Sequence, residues 1–358
     1  MSVRIERRPA PSRLLMAVTP LLAVALTVVT GFLLFLLLGF DAGRALWEFF
    51  VVPVSTLYDL AELGVKAAPL IIIATGLALG FRANVWNIGA EGQLTVGALC
   101  AGGLALAFWQ QEGVWILPVM VVAGVAGGLA WAAIPAFLKT RFGVNEILVS
   151  LMLTYVALLL LSTLVYGPLK DPEGFNFPQS RLFSGSAQLP ILLEGTRLHL
   201  GVPVALAVAL TGWVLLARGF IGFQLRVLGL APAAARYAGF SRGRLTWFCL
   251  LASGGLAGLA GAFEVAGPIG QLVPELTPGY GFTAIIVAFL GRLHPLGIIP
   301  AGLLVALSYI GGDNAQISVG LPQAVTGVFQ GLLLFFLLAS DFLFRYRLRL
   351  TAGREARA

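Results

Sequence analysis

Long apolar runs separated by short polar segments make up almost the whole chain. A helix needs about 20 largely apolar residues to cross the hydrocarbon core of a bilayer, and the first run is longer than that. Two pairs of shorter runs flank polar interruptions. The pattern predicts an all-α integral membrane protein with about ten transmembrane helices. The predicted spans are residues 14–40, 67–80, 94–108, 114–138, 147–166, 202–217, 245–266, 279–291, 296–310 and 323–344.

The polar segments between these runs predict the topology. Arginine and lysine concentrate in alternate segments, and because positive charge is retained on the cytoplasmic side, we predict that both termini are cytoplasmic. Residues 1–13 then form a cytoplasmic tail, residues 14–344 a single transmembrane domain and residues 345–358 a basic cytoplasmic tail. The predicted outer segments are residues 41–66, partly as an amphipathic helix along the membrane face, and the loops 167–200 and 311–322.

Composition agrees with a membrane protein and argues against several other classes. Of the 358 residues, 59% are hydrophobic and 11% are charged, against about 25% charged in ordinary soluble domains. The net charge of +7 arises from the segments between spans, so it indicates topology and not nucleic-acid binding. The two cysteines lie inside apolar runs, and neither histidine has a partner at metal-ligand spacing. We therefore expect no disulfide framework, no metal and no cofactor.

The most informative stretch is the first polar interruption, FRANVWNIGAEGQ, at residues 81–93. Lipid does not tolerate unpaired polar backbone, so this segment must be buried in protein or line a wet cavity. Interrupted apolar segments are typical of transport sites near the bilayer midplane. Structural roles stay open for two residues, because Asn87 could cap the next helix and Glu91 could meet its positive end. The candidate substrate-pathway residues are Phe81, Asn84, Trp86, Asn87, Glu91, Gln93 and, in a later span, Glu264.

A second landmark is the basic segment 225–244, whose first part reads LRVLGLAPAAARYAGF. Pro232 fits the first position of a helix and Gly239 fits a helix end, which predicts a helix of about two turns. A helix this short is not stable alone in water, so it must pack on its own protein or in a partner's groove. A basic connector lying on anionic lipid explains the arginines but not the order of Gly, Pro and Ala.

This segment resembles the coupling loop in the permease subunits of ABC importers. It is most similar to the branch serving branched-chain amino acids, simple sugars and nucleosides, where Gly-x-Asn-Pro followed by Ala-Ala, Tyr and Ala-Gly is typical. Here Ala231 replaces the Asn. The string NIGAEGQ at residues 87–93 is similar to the signature of nucleoside permeases. The resemblance covers roughly residues 60–345 and implies coupling to an ATPase through Leu228, Gly229, Pro232, Ala234, Ala235, Tyr237 and Gly239.

The resemblance implies a permease in the bacterial inner membrane that moves nucleosides or a related small polar solute. The implied partners are a cytoplasmic ABC ATPase, a second, homologous permease and an extracytoplasmic substrate-binding protein or lipoprotein. In agreement, the sequence contains no G-x-x-x-x-G-K-[ST] phosphate loop of its own. For a neutral nucleoside, Asn84, Asn87 and Gln93 could supply uncharged hydrogen bonds, and Trp86 or Phe81 could stack on the base.

Three other interpretations remain open at this stage. A permease of the same family could carry a simple sugar or another solute. A secondary transporter would couple transport to protons or sodium through Glu91 and Glu264 and would not need the short basic helix. An intramembrane protease would pair Ser253 with His294, although no G-x-S-x-G elbow surrounds the serine.

Overall fold

A computed structural model describes the backbone of residues 2–7 and 13–351, and the side chains of residues 22–340 except 326, 330, 334, 337 and 338. This part of the chain is nearly all-helical, with one short antiparallel strand pair. Residues 1–13 and 345–358, the predicted tails, lie partly outside it. The helices are α1 (Arg13–Leu37), α2 (Ala42–Phe50), α3 (Leu57–Arg82), α4 (Ala90–Ala107), α5 (Ile116–Phe142), α6 (Glu146–Tyr166), α7 (Gly201–Ala217), α8 (Phe220–Leu230), α9 (Pro232–Tyr237), α10 (Arg242–Glu264), α11 (Tyr280–Leu290), α12 (Pro295–Val319) and α13 (Gln323–Arg345). The strands are β1 (Ser2–Arg7) and β2 (Tyr346–Thr351), and one π-helical turn spans Val265–Ile269.

Six helices in the described part of the chain are long and apolar enough to cross a membrane: α3, α4, α5, α6, α10 with its π turn, and α12. A seventh is obtained if α7 and α8, which meet at a 70° bend, form one broken span. The prediction of an all-α multi-pass membrane protein is therefore confirmed. The count of ten spans and the cytoplasmic termini stay predictions.

Two predicted boundaries were wrong by nine or ten residues. Helix α3 begins at Leu57 and not at residue 67, so the charged residues 57–66 extend a membrane helix instead of lying along the outer face. The amphipathic part of that segment is only α2, where the Asp41 side chain accepts a hydrogen bond from the Arg44 N–H. Helix α12 continues past residue 310 to Val319, and the next residue, Gly320, has the left-handed φ of +72° that favours glycine at helix ends.

The chain forms two compact units, residues 57–306 (the large unit) and residues 1–56 with 307–358. The smaller unit has an aromatic core in which the Phe329 ring lies 5.4 Å from that of Phe35 and 4.3 Å from that of Phe49. The predicted domain limits, including a single domain over residues 14–344, stay predictions.

Helix α10 packs against α3, α4 and α5 inside the large unit. Small residues allow this close approach, since a Cβ added to Gly128 on α5 would lie 2.2 Å from the carbonyl oxygen of Gly254 on α10. Gly124 on α5 meets α10 in the same way, with Ala262 2.6 Å from the position of an added Cβ, so the two glycines serve close helix packing. Helix α10 therefore lies against both helices that flank the polar interruption, α3 and α4.

Candidate functional site

The polar interruption forms an irregular turn, residues 83–89 (the break), between α3 and α4. Near its start, Asn84 has a left-handed φ of +56°. Helix α6 holds its far end, because the Ser150 hydroxyl accepts a hydrogen bond from the Ile88 N–H at 3.3 Å. Glu146, also on α6, accepts one from the Trp86 N–H at 3.4 Å. The N–H groups of Ala83, Asn84 and Val85 donate to carbonyls at the end of α3, so protein groups pair these five N–H groups of the break, as a membrane-buried turn requires.

Three buried polar side chains join the break to α4 and α10. The Asn87 amide donates to Gln93 Oε1 and to Ser253 Oγ, both at 2.7 Å, and Gln93 Nε2 donates back to Asn87 Oδ1 at 3.1 Å. Each of the three is at most 2% exposed. Of the two roles left open for Asn87, the structure does not show capping of α4, because Gly89 is the N-cap residue and Asn87 Oδ1 accepts from its N–H. Asn87 instead ties the break to a neighbouring helix.

Glu91 links the starts of two helices. It lies in the first turn of α4, as the sequence indicates, and its carboxylate accepts hydrogen bonds from the Thr277 hydroxyl and the Gly281 N–H at the start of α11. The backbones also touch, since a Cβ added to Gly281 would lie 2.2 Å from the Glu91 nitrogen. Each helix start carries roughly half a positive charge. One carboxylate therefore balances the two converging helix ends.

Helix α11 separates the Glu91 junction from the start of the break. The Arg82 guanidinium donates to the Leu293 carbonyl at 2.9 Å, which puts the end of α3 next to the residues that follow α11. The Glu91 carboxylate is held at the other end of α11, whose 11 residues rise about 16 Å.

Aromatic rings cover the start of the break. The Phe81 ring centroid lies 4.9 Å from that of Trp86 and 5.2 Å from that of Phe289, and the Trp86 and Phe289 rings stack at 26°. The Trp86 indole donates to Asn84 Oδ1 at 2.9 Å, on the exposed side of the break. Phe81 and Trp86 were predicted site residues. Phe289 was missed, because an apolar residue within an apolar run gives no sequence signal.

Glu264 lies apart from the amide cluster, at the end of α10, 11 residues after Ser253. It is buried, and Lys66 and Arg197 are the positive groups that act on it most strongly. Arg197, in the long loop before α7, pairs with Glu62 on α3. Neither Arg197 nor Glu62 was a predicted site residue. Burial lowers the pKa of His199, two residues after Arg197, to about 4, with Glu62 opposing the effect and Arg197 adding to it.

The same loop is attached to the segment that follows α10. Backbone N–H groups of Leu189, Phe183 and Ser180 donate to the carbonyls of Ala266, Gly270 and Leu272 at 2.7, 2.8 and 2.9 Å, respectively. Residues 265–281 (the link segment) then run on to Thr277 and Gly281, which hold Glu91. The loop and the Glu91 carboxylate are therefore connected through one continuous segment.

The predicted coupling segment folds as α8 and α9, which meet at Ala231. Pro232 opens α9 and Gly239, with a φ of +78°, follows it, as predicted. One face packs on the break, because a Cβ added to Gly229 would lie 2.0 Å from the Arg82 carbonyl oxygen. Leu228 and Ala235 are buried in one cluster with Ala83 and Val85 of the break. The other face is open: Pro232, Ala234 and Gly239 are exposed, and Tyr237 is 97% exposed.

The proposed protease pair does not form in the described part of the structure. The Ser253 hydroxyl is buried and accepts its hydrogen bond from Asn87. His294 lies in an exposed turn between α11 and α12, and no hydrogen bond joins it to the serine among the described residues. The serine therefore belongs to the amide cluster.

Comparison with known proteins identifies the class. Residues 60–338 match the family described as branched-chain amino acid transport system / permease component. The chain belongs to this family. The permease is 37% identical, over 99% of its length and 96% of the relative's, to a glucose ABC transporter permease protein of Haloferax volcanii. It is 32% identical, over 96% of its length and 97% of the relative's, to the guanosine ABC transporter permease protein NupP of Bacillus subtilis.

Among solved structures, PsaBC from Streptococcus pneumoniae in complex with Fab aligns with 83% of the permease and 96% of the matched chain, at 15% identity and a TM-score of 0.48. The family and the two sequence relatives show that the permease is a multi-pass subunit of an ABC transporter and not an enzyme. This conclusion removes the protease interpretation.

Proposed function

We propose that the permease imports nucleosides along a route that passes the break, with energy supplied by a separate cytoplasmic ATPase. The observation that carries this proposal is the polar segment of residues 81–93, in which buried amides and a carboxylate follow the half-buried Trp86 indole within one short stretch of the large unit. A guanosine permease relative at 32% identity over nearly the full chain supports the nucleoside class.

The exposed rim of the break suits a neutral nucleoside. Trp86 is half-buried beside the exposed Asn84, so a flat base could stack on the indole while the amide pairs with a base edge. Asn87, Gln93 and Glu91 are saturated by one another or by α10 and α11, and they would meet the solute only after these helices move apart. A ribose diol could then replace Thr277 and Gly281 on the carboxylate.

A simple sugar is the second candidate, favoured by the glucose permease relative at 37% identity. A hexose also uses an aromatic face and a carboxylate for its hydroxyls. The base of a nucleoside adds a need for a flat slot with amide groups, which Trp86 and Asn84 could provide. The substrate assay below separates the two candidates.

Coupling would act through α8 and α9. Their buried face packs on residues 82–85, so a push on the exposed face, centred on Tyr237, would reach the start of the break directly. ATP-driven movement can shift the permease between inward- and outward-open states only through such a differential contact. Leu228, Gly229 and Ala235 would transmit the movement, and Pro232, Ala234, Tyr237 and Gly239 would meet the ATPase.

The full machine in this proposal contains a second homologous permease, an ABC ATPase and an extracytoplasmic substrate-binding protein or lipoprotein. The permease would cross the bacterial inner membrane about ten times with both termini inside. The loop of residues 167–200 would then face the binding protein. Its backbone attachment to the link segment gives a route by which docking outside could reach Glu91.

Uptake into proteoliposomes that hold the complete transporter tests this function. We expect ATP-dependent accumulation of radiolabelled guanosine that unlabelled nucleosides inhibit and glucose does not. Accumulation of glucose alone would assign the sugar candidate. Uphill transport by the permease alone, driven by a proton or sodium gradient, would refute the ABC mechanism.

A further inference from the structure

A groove of about 500 Å³ opens where the turn between α5 and α6 meets the start of α10. Its walls include Lys139 and Thr140 from the end of α5, Asn145 from the turn, and Arg242 and Thr246 from α10. A hydrogen bond of 3.0 Å from the Trp247 indole to the Thr140 hydroxyl joins the two walls. Its lining includes no aromatic residue of the break and no residue of α9.

The groove has an excess of positive charge. Glu146 is its acidic lining residue, and it is paired with Lys139, so Arg242 remains without a matching charge on the groove walls. Arg141 and Arg244 are also exposed, each two residues along its helix from a lining residue. An arginine without a matching charge in a partly enclosed polar groove favours an anionic ligand, and the planar guanidinium is well suited to phosphate oxygens.

Exposed apolar side chains lie close in sequence to the lining residues of the groove. Phe142, next to Gly143, is 66% exposed; Phe137 on α5 is 49% exposed and Leu148 on α6 is 59% exposed. The two phenylalanine rings lie edge to face, with centroids 5.9 Å apart. Exposed apolar residues on spanning helices that also contribute to a cationic groove match an acyl chain attached to an anionic headgroup. A soluble acidic peptide would use the charge but would have no need of these apolar residues.

We propose that this groove binds the phosphate headgroup of an anionic phospholipid, with an acyl chain lying along Phe137, Phe142 and Leu148. Basic grooves between membrane helices recognise such headgroups on the cytoplasmic side, the side predicted for these arginines. The inference rests on the groove alone and does not depend on the transported solute. Glu146 lines the groove and also accepts a hydrogen bond from the Trp86 N–H of the break. A lipid headgroup in the groove would therefore lie next to a residue that holds the break.

Native mass spectrometry of the full-length permease in detergent tests the proposal, with phosphatidylglycerol and phosphatidylcholine of matched chains as probes. We expect wild-type protein to bind phosphatidylglycerol more tightly, and Arg242→Ala to weaken that binding about fivefold, as expected for one basic residue at a membrane surface. Arg141→Ala, a fully exposed second variant, should weaken it similarly. Neither change should alter phosphatidylcholine binding.

Arg218→Ala is the matched control, because Arg218 is an exposed arginine at the end of α7, outside the groove, and it should leave the preference unchanged. Equal binding of the two lipids by wild-type protein would overturn the proposal. So would an equal loss in the Arg218 variant. If inorganic phosphate alone displaced phosphatidylglycerol at millimolar concentration, the site would be one for free phosphate, and the lipid assignment would fail.

Discussion

Replacing Glu91 with glutamine should separate the charge of this residue from its hydrogen bonds. The carboxylate accepts from the Thr277 hydroxyl and the Gly281 N–H. A glutamine of the same shape can keep both bonds, because its carbonyl oxygen can accept from Gly281 while its amide donates to the threonine oxygen. What is lost is the negative charge between two helix starts. Alanine at the same position removes the charge and both acceptors.

The expected costs differ enough to be measured. A charge near one helix end contributes up to about 2 kcal/mol in a partly buried geometry, and Glu91 faces two such ends. We therefore expect Glu91→Gln to lower the free energy of unfolding by about 2–3 kcal/mol. Glu91→Ala also leaves the buried Gly281 N–H without a partner, which adds about 1–3 kcal/mol. The predicted order of stability is wild type, then glutamine, then alanine.

Unfolding in mixed detergent micelles, followed by tryptophan fluorescence, measures these differences. Glu173→Gln is the control, because Glu173 is exposed in the loop of residues 167–200 and its replacement should change stability by less than about 0.5 kcal/mol. A glutamine variant as stable as wild type would show that the two helix ends need no charge between them. Equal losses for glutamine and alanine would show that the bridging geometry is wrong.

Two further predictions concern the open face of α9 and the loop before α7. Tyr237→Ala should leave stability unchanged, since the side chain is 97% exposed. It should lower ATP-driven uptake about tenfold if the tyrosine anchors the ATPase interface. Tyr155→Ala on α6 is the control, and unchanged uptake by the Tyr237 variant would contradict the coupling role. The pKa of His199 is lowered to about 4 in the folded protein. As the pH falls, the unfolded state takes up a proton near pH 6.5 while the folded state does not. Up to about 3 kcal/mol of stability that is present above pH 6.5 is therefore lost as the pH falls toward 4. His199→Gln should remove this part of the pH dependence, and an unchanged profile in that variant would refute the assignment.

Local signals in the sequence were sufficient for much of the helix plan. Pro232 and Gly239 marked the limits of α9 because each has a backbone preference that acts within one or two residues. The start of α3 was misplaced because Asp59, Glu62 and Lys66 looked too polar for a span. Glu62 is accommodated by Arg197, 135 residues away, and periodicity along the chain does not contain such pairings.

The candidate site shows the same division between local and distant information. The residue types of the break could be chosen from the sequence, because polar groups inside an apolar run must have partners. The identity of those partners could not. Thr277 lies 186 residues from Glu91 and Ser253 lies 166 residues from Asn87, and neither residue is unusual in its own segment.

Two backbone contacts hold the break, one near each of its ends, and this arrangement gives a physical basis for alternating access. At its start, Gly229 of α8 lies against the Arg82 carbonyl; just past its end, Gly281 of α11 lies against the Glu91 backbone. Both contacts are backbone to backbone with no side chain between, so neither can yield by a rotamer change. A displacement of α8 or of the link segment must therefore move the break itself or separate the contact. A turn held this way favours a few discrete positions over gradual deformation. A gate that opens a solute route to one side of the membrane and then to the other requires such discrete positions.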